Sequence, residues 1–381
     1  MESACSLRDL VSLSSCLRWL VVCVAVLLTG CPRGEQAKPQ AAGDAPRASV
    51  ALRVLVVNDP GVAEAINRLR GEWAERSGGE LSAMSVAWKE VAGAEGIAAD
   101  VIIFPSRYLG ELSARGWLQA VRASVLDGDE FSGRDVFPLV RRELIRWGGE
   151  VMALPLGIQV LVPGMADAGH PGLEFLAVAA PSAVSNEREG VLFDPQTMKP
   201  RIADPVFVDA LQRFAKSKTA TPAGKNSVEP LVPVLGFADR LIAVNSASRN
   251  GASAFKLAAW LASADVSTQL NAAGDQLLSV RRPSATTSSR SNPAQPSGDG
   301  GDAVKTLEAA LNAERCLMVP RIPAVDEYMA ALDEAANAPP ADKAAAEAAL
   351  QKVAERWEQI TNAHGREAQR RAYLKHLEIT E

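Results

Sequence analysis

The chain has 381 residues, with 40 Lys and Arg against 45 Asp and Glu, for a formal net charge of −5. Phosphate binding needs clustered Lys and Arg, and no basic stripe runs through this sequence, so nucleic acid is excluded as a partner. Five cysteines and three histidines, none of the latter in metal-ligand spacing, supply neither a disulfide framework nor a metal centre. In chain order, residues 1–30 come first and read as a secretory signal. Arg8 and Arg18 form a polar lead weakened by Glu2 and Asp9, and an apolar run from Trp19 to Leu28 follows. That run is too short for a membrane span, which takes about 20 apolar residues.

The exit of this segment, Leu28-Thr29-Gly30-Cys31, resembles the lipobox of bacterial lipoproteins. The resemblance implies cleavage before Cys31 and acylation of its thiol, which would anchor the chain to a membrane. The alternative is an uncleaved anchor helix with a chance cysteine. Residues 31–50 are rich in Pro, Ala, Gly and polar side chains, too few of them apolar to bury a core, and read as a disordered tether. Cys5, Cys16 and Cys23 would leave with the signal, so Cys316 has no disulfide partner and reads as a small core residue.

An α/β pattern then begins. Residues 52–57, LRVLVV, form a strand ending at the turn Asn58-Asp59-Pro60-Gly61, and Val62, Ile66, Leu69 and Trp73 recur at helical spacing up to Ser77-Gly78-Gly79. Strands follow at 81–86 and 101–104, the latter opening into a loop and helix that end at Gly116. This alternation predicts a parallel, doubly wound sheet. A helix is expected from Arg134 to Ile145, a strand over 150–162, and little periodicity over 163–230 beyond a helix near Phe207 to Phe214. Strand character returns over 230–246, and Ala252 to Leu270 reads as one amphipathic helix. Residues 284–302 are low-complexity and read as a disordered loop. Helices at Tyr328 to Ala335, 341–363 and Arg366 to Leu377 close the chain.

Six segments in this order resemble the extracellular solute-binding proteins of ABC importers, in the sugar-binding, maltose-binding-like class. They are LRVLVVNDPGVAEAINRLRGEWAERSG, ADVIIFPSRYLGELSARGWLQAV, GGEVMALPLGIQVLV, ASAFKLAAWLAS with LLSVRRP, RIPAVDEYMAALDEA and ALQKVAERWEQI. The resemblance covers much of 51–283 and 314–374. It implies a two-lobed, periplasmic-binding-protein-like (type II) fold, with residues 51–156 and 236–283 in the first lobe and 157–235 and 303–381 in the second. The 160–230 stretch is short and carries no Trp or Tyr, so a shortened second lobe is expected, with a helical C-terminus.

Ligands of open α/β sheets sit beyond the carboxyl ends of strands, and that rule selects Asn58-Asp59 and Ser106-Arg107-Tyr108. The resemblance adds Gln159 in the crossing strand, Asp239 and Arg240 at the return, and Tyr328 as a ring able to stack on a sugar. Each has a plainer alternative. Asn58-Asp59 also reads as a capped turn, Arg107 as a solvated charge and Gln159 as a solvent-facing strand residue. Tyr108 and Tyr328 also read as packing residues, and Asp239 with Arg240 as a structural ion pair. No GxSxG elbow, HExxH or P-loop is present, and no cofactor is expected. The expected protein is a lipid-anchored receptor, on the periplasmic side of the cell envelope, passing a sugar or similar polar solute to ABC permease subunits. The alternative is a relative of the same fold that serves as an envelope scaffold without transport.

Overall fold

The computed structural model describes residues 49–163, 169–184, 190–219, 231–275, 277–282, 300–338 and 340–379. The expected signal, Cys31, nearly all of the tether and most of the 284–302 loop lie outside the described residues. Residues 300–302, expected in that loop, instead open a helix.

The first body is a mixed sheet of six strands. β1 (Ala51–Val57) lies between parallel neighbours β2 (Glu80–Val86) and β3 (Val101–Pro105), with Leu52 opposite Leu81 and Val54 opposite Val101. Its near-continuous apolar sequence suits a strand covered on both faces. Asp59 caps α1 (Pro60–Arg68), its Oδ1 accepting from the Val62 amide at 3.0 Å, while Pro60 supplies the fixed φ of a first helical turn. The single helix expected here is split at Leu69, and α2 (Arg70–Ser77) ends at the left-handed Gly78. α3 (Trp88–Ala92) is short, as is α4 (Leu109–Ala114), which follows a 3₁₀ turn at Ser106–Tyr108. β4 (Leu118–Gln119) and α5 (Ala123–Leu126) come next.

The helix expected from Arg134 to Ile145 forms only in its second half, as a π-helix at Val140–Leu144, and a 3₁₀ turn at Gly133–Asp135 stands at its expected start. Val136 is drawn into a bridge with Arg281, and the Phe137 amide donates to the Val280 carbonyl at 3.0 Å, so tertiary pairing overrides the local period. The strand expected over 150–162 is also broken. β5 (Arg146–Trp147) and β6 (Glu150–Val151) form a hairpin, and β7 (Leu154–Gly157) joins the main sheet. Beyond Gly157 the chain changes partner twice, bridging Leu278 from Ile158 and Val234 from Leu161.

The second body is mainly helical. α6 (Pro171–Ala183) fills part of the stretch in which little order was expected, and α7 (Pro205–Thr219) follows. Among the described residues its sheet is a parallel pair, β8 (Val234–Leu235) with the later β10 (Leu317–Met318). β9 (Arg240–Asn245) then returns to the first sheet, antiparallel to β3 on one side and to β4 and β7 on the other. The helix expected from Ala252 to Leu270 breaks at Ala262-Ser263 into α8 (Gly251–Leu261) and α9 (Ala264–Ala273). α10 (Gly300–Leu311), α11 (Val325–Asn337), α12 (Lys343–Ala363) and α13 (Arg366–His376) complete the chain.

The second core is aromatic. Phe193 stacks on Trp357 at 5.0 Å and meets Tyr328 and Tyr373 edge-on. The two bodies touch closely where α4 passes the segment before α11. A Cβ added at Gly110 would lie 1.8 Å from the Arg321 carbonyl oxygen, so only glycine fits there. Arg321 is buried, donating to the Leu144 carbonyl at 2.7 Å and to His376 Nδ1 at 3.3 Å. Burial pushes the Arg321 guanidinium down to about 10. No helix among the described residues is long and apolar enough to cross a membrane.

Candidate functional site

A cavity of about 360 Å³ opens at the carboxyl ends of β1 and β3. Asn58 and Asp59 follow β1, Pro105 ends β3 with Arg107 just beyond it, and Arg240 begins β9 at the same edge, opposite Pro105. Gln159 comes from the outgoing crossing, Phe237 from the returning one, His170 from the start of α6, and Asp275 from the turn after α9.

The site is laid down by strand geometry. Asn58 leaves β1 with φ +57°, a conformation Asn tolerates, and its Oδ1 accepts from the Trp88 amide at 2.8 Å. Asp59 is committed twice, to the α1 cap and to an ion pair with Arg240 NH2. Both partners of this pair are nearly sealed from solvent. Arg240 also donates to Asn271 Oδ1 at 3.3 Å and lies 3.4 Å from Asp275. Burial lowers the Arg240 guanidinium, and the charges of Asp59 and Asp275 oppose that shift. Removing either buried partner would strand the other's charge.

Arg107 lies over two rings, its guanidinium carbon 4.6 Å from the Tyr108 centroid and 4.4 Å from that of Phe237. Its Nε is 2.8 Å from Asp326 Oδ1 at the start of α11. The Tyr108 hydroxyl donates to the other oxygen of that carboxylate at 2.7 Å, and the far face of this cluster is Trp88, parallel to Tyr108 at 3.7 Å. Burial pushes the Tyr108 phenol well above its ordinary range.

Asp239 is fully buried beneath the cavity. Its carboxylate accepts from the amide of Gly236 at 2.7 Å, the amide of Gln159 at 3.0 Å and the hydroxyl of Ser106 at 3.0 Å. Gly236 has φ +95°, which lets its amide turn toward the carboxylate. Three segments are thereby tied to one side chain: the loop after β3, the outgoing crossing and the returning crossing. Burial raises the Asp239 carboxyl above its usual range, and the three donors oppose that shift.

Of the nine residues expected from sequence, Asn58, Asp59, Arg107, Gln159 and Arg240 line the cavity. Ser106, Tyr108 and Asp239 pack directly behind it. Tyr328 does not approach it: the ring lies in the second aromatic core, and its hydroxyl is 2.9 Å from Thr361 Oγ1. Asp239 and Arg240 do not pair with each other, because adjacent side chains of an extended segment point to opposite sides. His170, Phe237 and Asp275 line the cavity without having been singled out for it. The signal for His170 was its place before Pro171, which starts a helix. Its Nδ1 is 3.0 Å from Asp333 Oδ2, leaving Nε2 on the other side of the ring. Among the described residues, no group of three or more His, Cys, Asp or Glu is placed to hold a metal ion.

No protein-family model and no curated protein matches the chain. Solved structures do. The sugar-binding protein of Xanthomonas citri superposes with a TM-score of 0.58 at 13% identity, over 83% of this chain and 99% of that one. An extracellular solute-binding protein from Staphylococcus aureus, in complex with maltose, gives 0.55 at 11% identity, over 82% and 98%. An ABC transporter solute-binding protein from Agrobacterium radiobacter, in complex with ribitol, gives 0.53 at 15% identity, also over 82% and 98%. The chain therefore has the two-lobed α/β fold of ABC transporter sugar-binding proteins.

Proposed function

We propose that this chain is the solute-binding protein of an ABC importer, capturing a sugar or similar polar solute between its lobes for transfer to membrane permease subunits. One observation carries the reading: a polar cavity at the carboxyl ends of β1 and β3, walled by both crossings between the lobes. Residues 51–156 and 236–283 form the first lobe, and 157–235 with 303–381 the second. Ligand contacts from both sides favour the closed arrangement, and the bending falls on the crossings around Gly157–Leu161 and Val234–Asp239. This is hinge closure biased by ligand, without bond chemistry, and the protein is a receptor and not an enzyme. Asn58, Arg107, Gln159, His170 and Asp275 are the ligand-facing groups. Asp59 and Arg240 hold the floor, and Asp239 holds the crossings.

In the same reading, Cys31 carries the lipid that keeps the receptor on the periplasmic side of the envelope. Two or more acyl chains, at about 0.8 kcal/mol per buried methylene, anchor durably where one is marginal. A Cys31→Ala chain released from the membrane fraction supports this, and one that still partitions with membranes refutes it.

The two-strand sheet of the second lobe favours a second reading, an envelope scaffold that has kept the fold without its ligand. Thermal melting of the full chain in mild detergent, against monosaccharides, polyols and maltodextrins, separates the two. Binding at a hundredfold excess over Kd adds about 2.7 kcal/mol of stability and raises the melting temperature. A flat response across the whole panel sinks the receptor reading.

A further inference from the structure

Sugar sites that take several linked rings use open aromatic faces as platforms, since a ring's flat apolar side packs well on another. The two phenylalanines of this cavity offer none. Phe104 is 0% exposed and Phe237 is 4% exposed. Phe237 is covered by the Arg107 guanidinium at 4.4 Å and met edge-on by the His170 ring at 4.9 Å. Arg107 is held in that place from two further sides. Its NH1 donates to the Phe237 carbonyl at 3.2 Å, and its Nε is ion-paired with Asp326. Trp88 and Tyr108 are spent on each other. The polar part of the lining is Asn58, Arg107, Gln159, Asp275, and His170 with its side chain 41% exposed, beside small and aliphatic side chains. The volume, about 360 Å³, falls near the bottom of the range of roughly 300–1,000 Å³ usual for ligand pockets.

We infer that the site selects a compact, hydroxyl-rich solute, a single sugar ring or a linear polyol, and that Arg107 sets this selection by covering Phe237. The inference rests on the receptor reading. Hydroxyls are met by the side-chain amides of Asn58 and Gln159, which both donate and accept, and by acceptors in His170 Nε2, its Nδ1 being turned to Asp333, and the carboxylate of Asp275. An oligosaccharide would find no platform for its second and third rings. It would also have to displace a guanidinium fixed by an ion pair, a backbone bond and two ring faces. Lysine cannot replace Arg107 in this, because an ammonium lacks the planar face that lies on the ring.

The test uses the full chain in mild detergent, titrated calorimetrically and by thermal shift with glucose, mannitol, ribitol and maltotriose. The expected result is binding of at least one single-unit ligand and at least tenfold weaker binding of maltotriose. Arg107→Ala and Arg107→Lys should each bind maltotriose roughly 2–10-fold tighter than wild type, the range expected from one uncovered ring. The double variant Arg107→Ala/Phe237→Ala should lose that gain. Maltotriose binding as tightly as the single units in wild type overturns the inference and leaves the receptor reading intact. So does a gain in Arg107→Ala that survives removal of Phe237, since the ring would then not be the platform. Silence toward all four ligands in every variant overturns both.

Discussion

Asp239→Ala tests whether one buried carboxylate organises the crossings. The side chain accepts three hydrogen bonds in a fully buried position, from Gly236, Gln159 and Ser106. Each buried donor left without a partner costs about 1–3 kcal/mol. Two of the three are backbone amides that cannot turn away, while the Ser106 hydroxyl can rotate. Losing the buried charge recovers part of its desolvation cost, so the net expectation is about 3 kcal/mol of destabilisation. Asp239→Asn keeps an oxygen for Gly236 and Ser106 but sets an NH2 against the Gln159 amide, at a cost of about 1 kcal/mol. The assay is urea unfolding of the full chain, read as the midpoint shift at constant slope.

Protonation adds a second arm. Burial raises the Asp239 carboxyl above 3.8, so the folded state takes up this proton before the unfolded state does as pH falls. Between 3.8 and the raised value the folded state holds more protons, and its stability drops as pH rises through that window. The stability of wild type relative to Asp239→Asn should therefore decrease across it. An Asp239→Ala chain within about 0.5 kcal/mol of wild type would refute the account.

Two other outcomes follow from the second lobe. His376 is buried against Arg321, and burial first, then that positive charge, lowers its pKa well below 6.5. The unfolded chain takes up this proton below about 6.5 and the folded chain does not, so stability falls as pH drops from 7.5 to 5. A His376→Gln chain melted at both pH values should show a smaller drop than wild type, and an equal drop would count against the buried neutral imidazole. Tyr328→Phe removes the hydroxyl 2.9 Å from Thr361 and should cost about 1 kcal/mol in urea unfolding. Because the ring lies outside the cavity, its affinity for any solute that wild type binds should be unchanged, and a tenfold loss would contradict that placement.

Much of the first lobe was legible because its signals are local. A strand buried on both faces, such as Val101–Pro105, is an unbroken apolar run, and Asp59-Pro60 is a helix start written in adjacent residues. Asn58 and Arg107 were reachable because a topological rule places ligands beyond such strands. α6 was missed for the opposite reason. Leu173, Phe175, Leu176, Ala177, Ala179 and Ala180 are all buried, so no polar face marks a helical period, and Pro181 sits inside it. The late start of the helix before Ile145 comes from long-range partners, Arg281 bridging Val136 and Val280 accepting from Phe137, that no window of sequence contains. Tyr328 shows the same limit at the site: a tyrosine in the right motif became a core residue once Phe193 and Trp357 closed around it. Asp275 and Phe237 joined the cavity only through the return of the chain after α6 and α7.

β9 has a consequence for how the chain is made. It is the inner strand between β3 and the pair β4 and β7, yet it lies at residues 240–245, after both helices α6 and α7. Until Asn245 has emerged, β3 keeps an open hydrogen-bonding edge of apolar residues, Val101 to Phe104, ready to pair with any passing strand. Sheet closure must span more than a hundred residues from β3, a separation that slows folding. A polypeptide cut short in this interval is therefore more prone to aggregate than the finished chain.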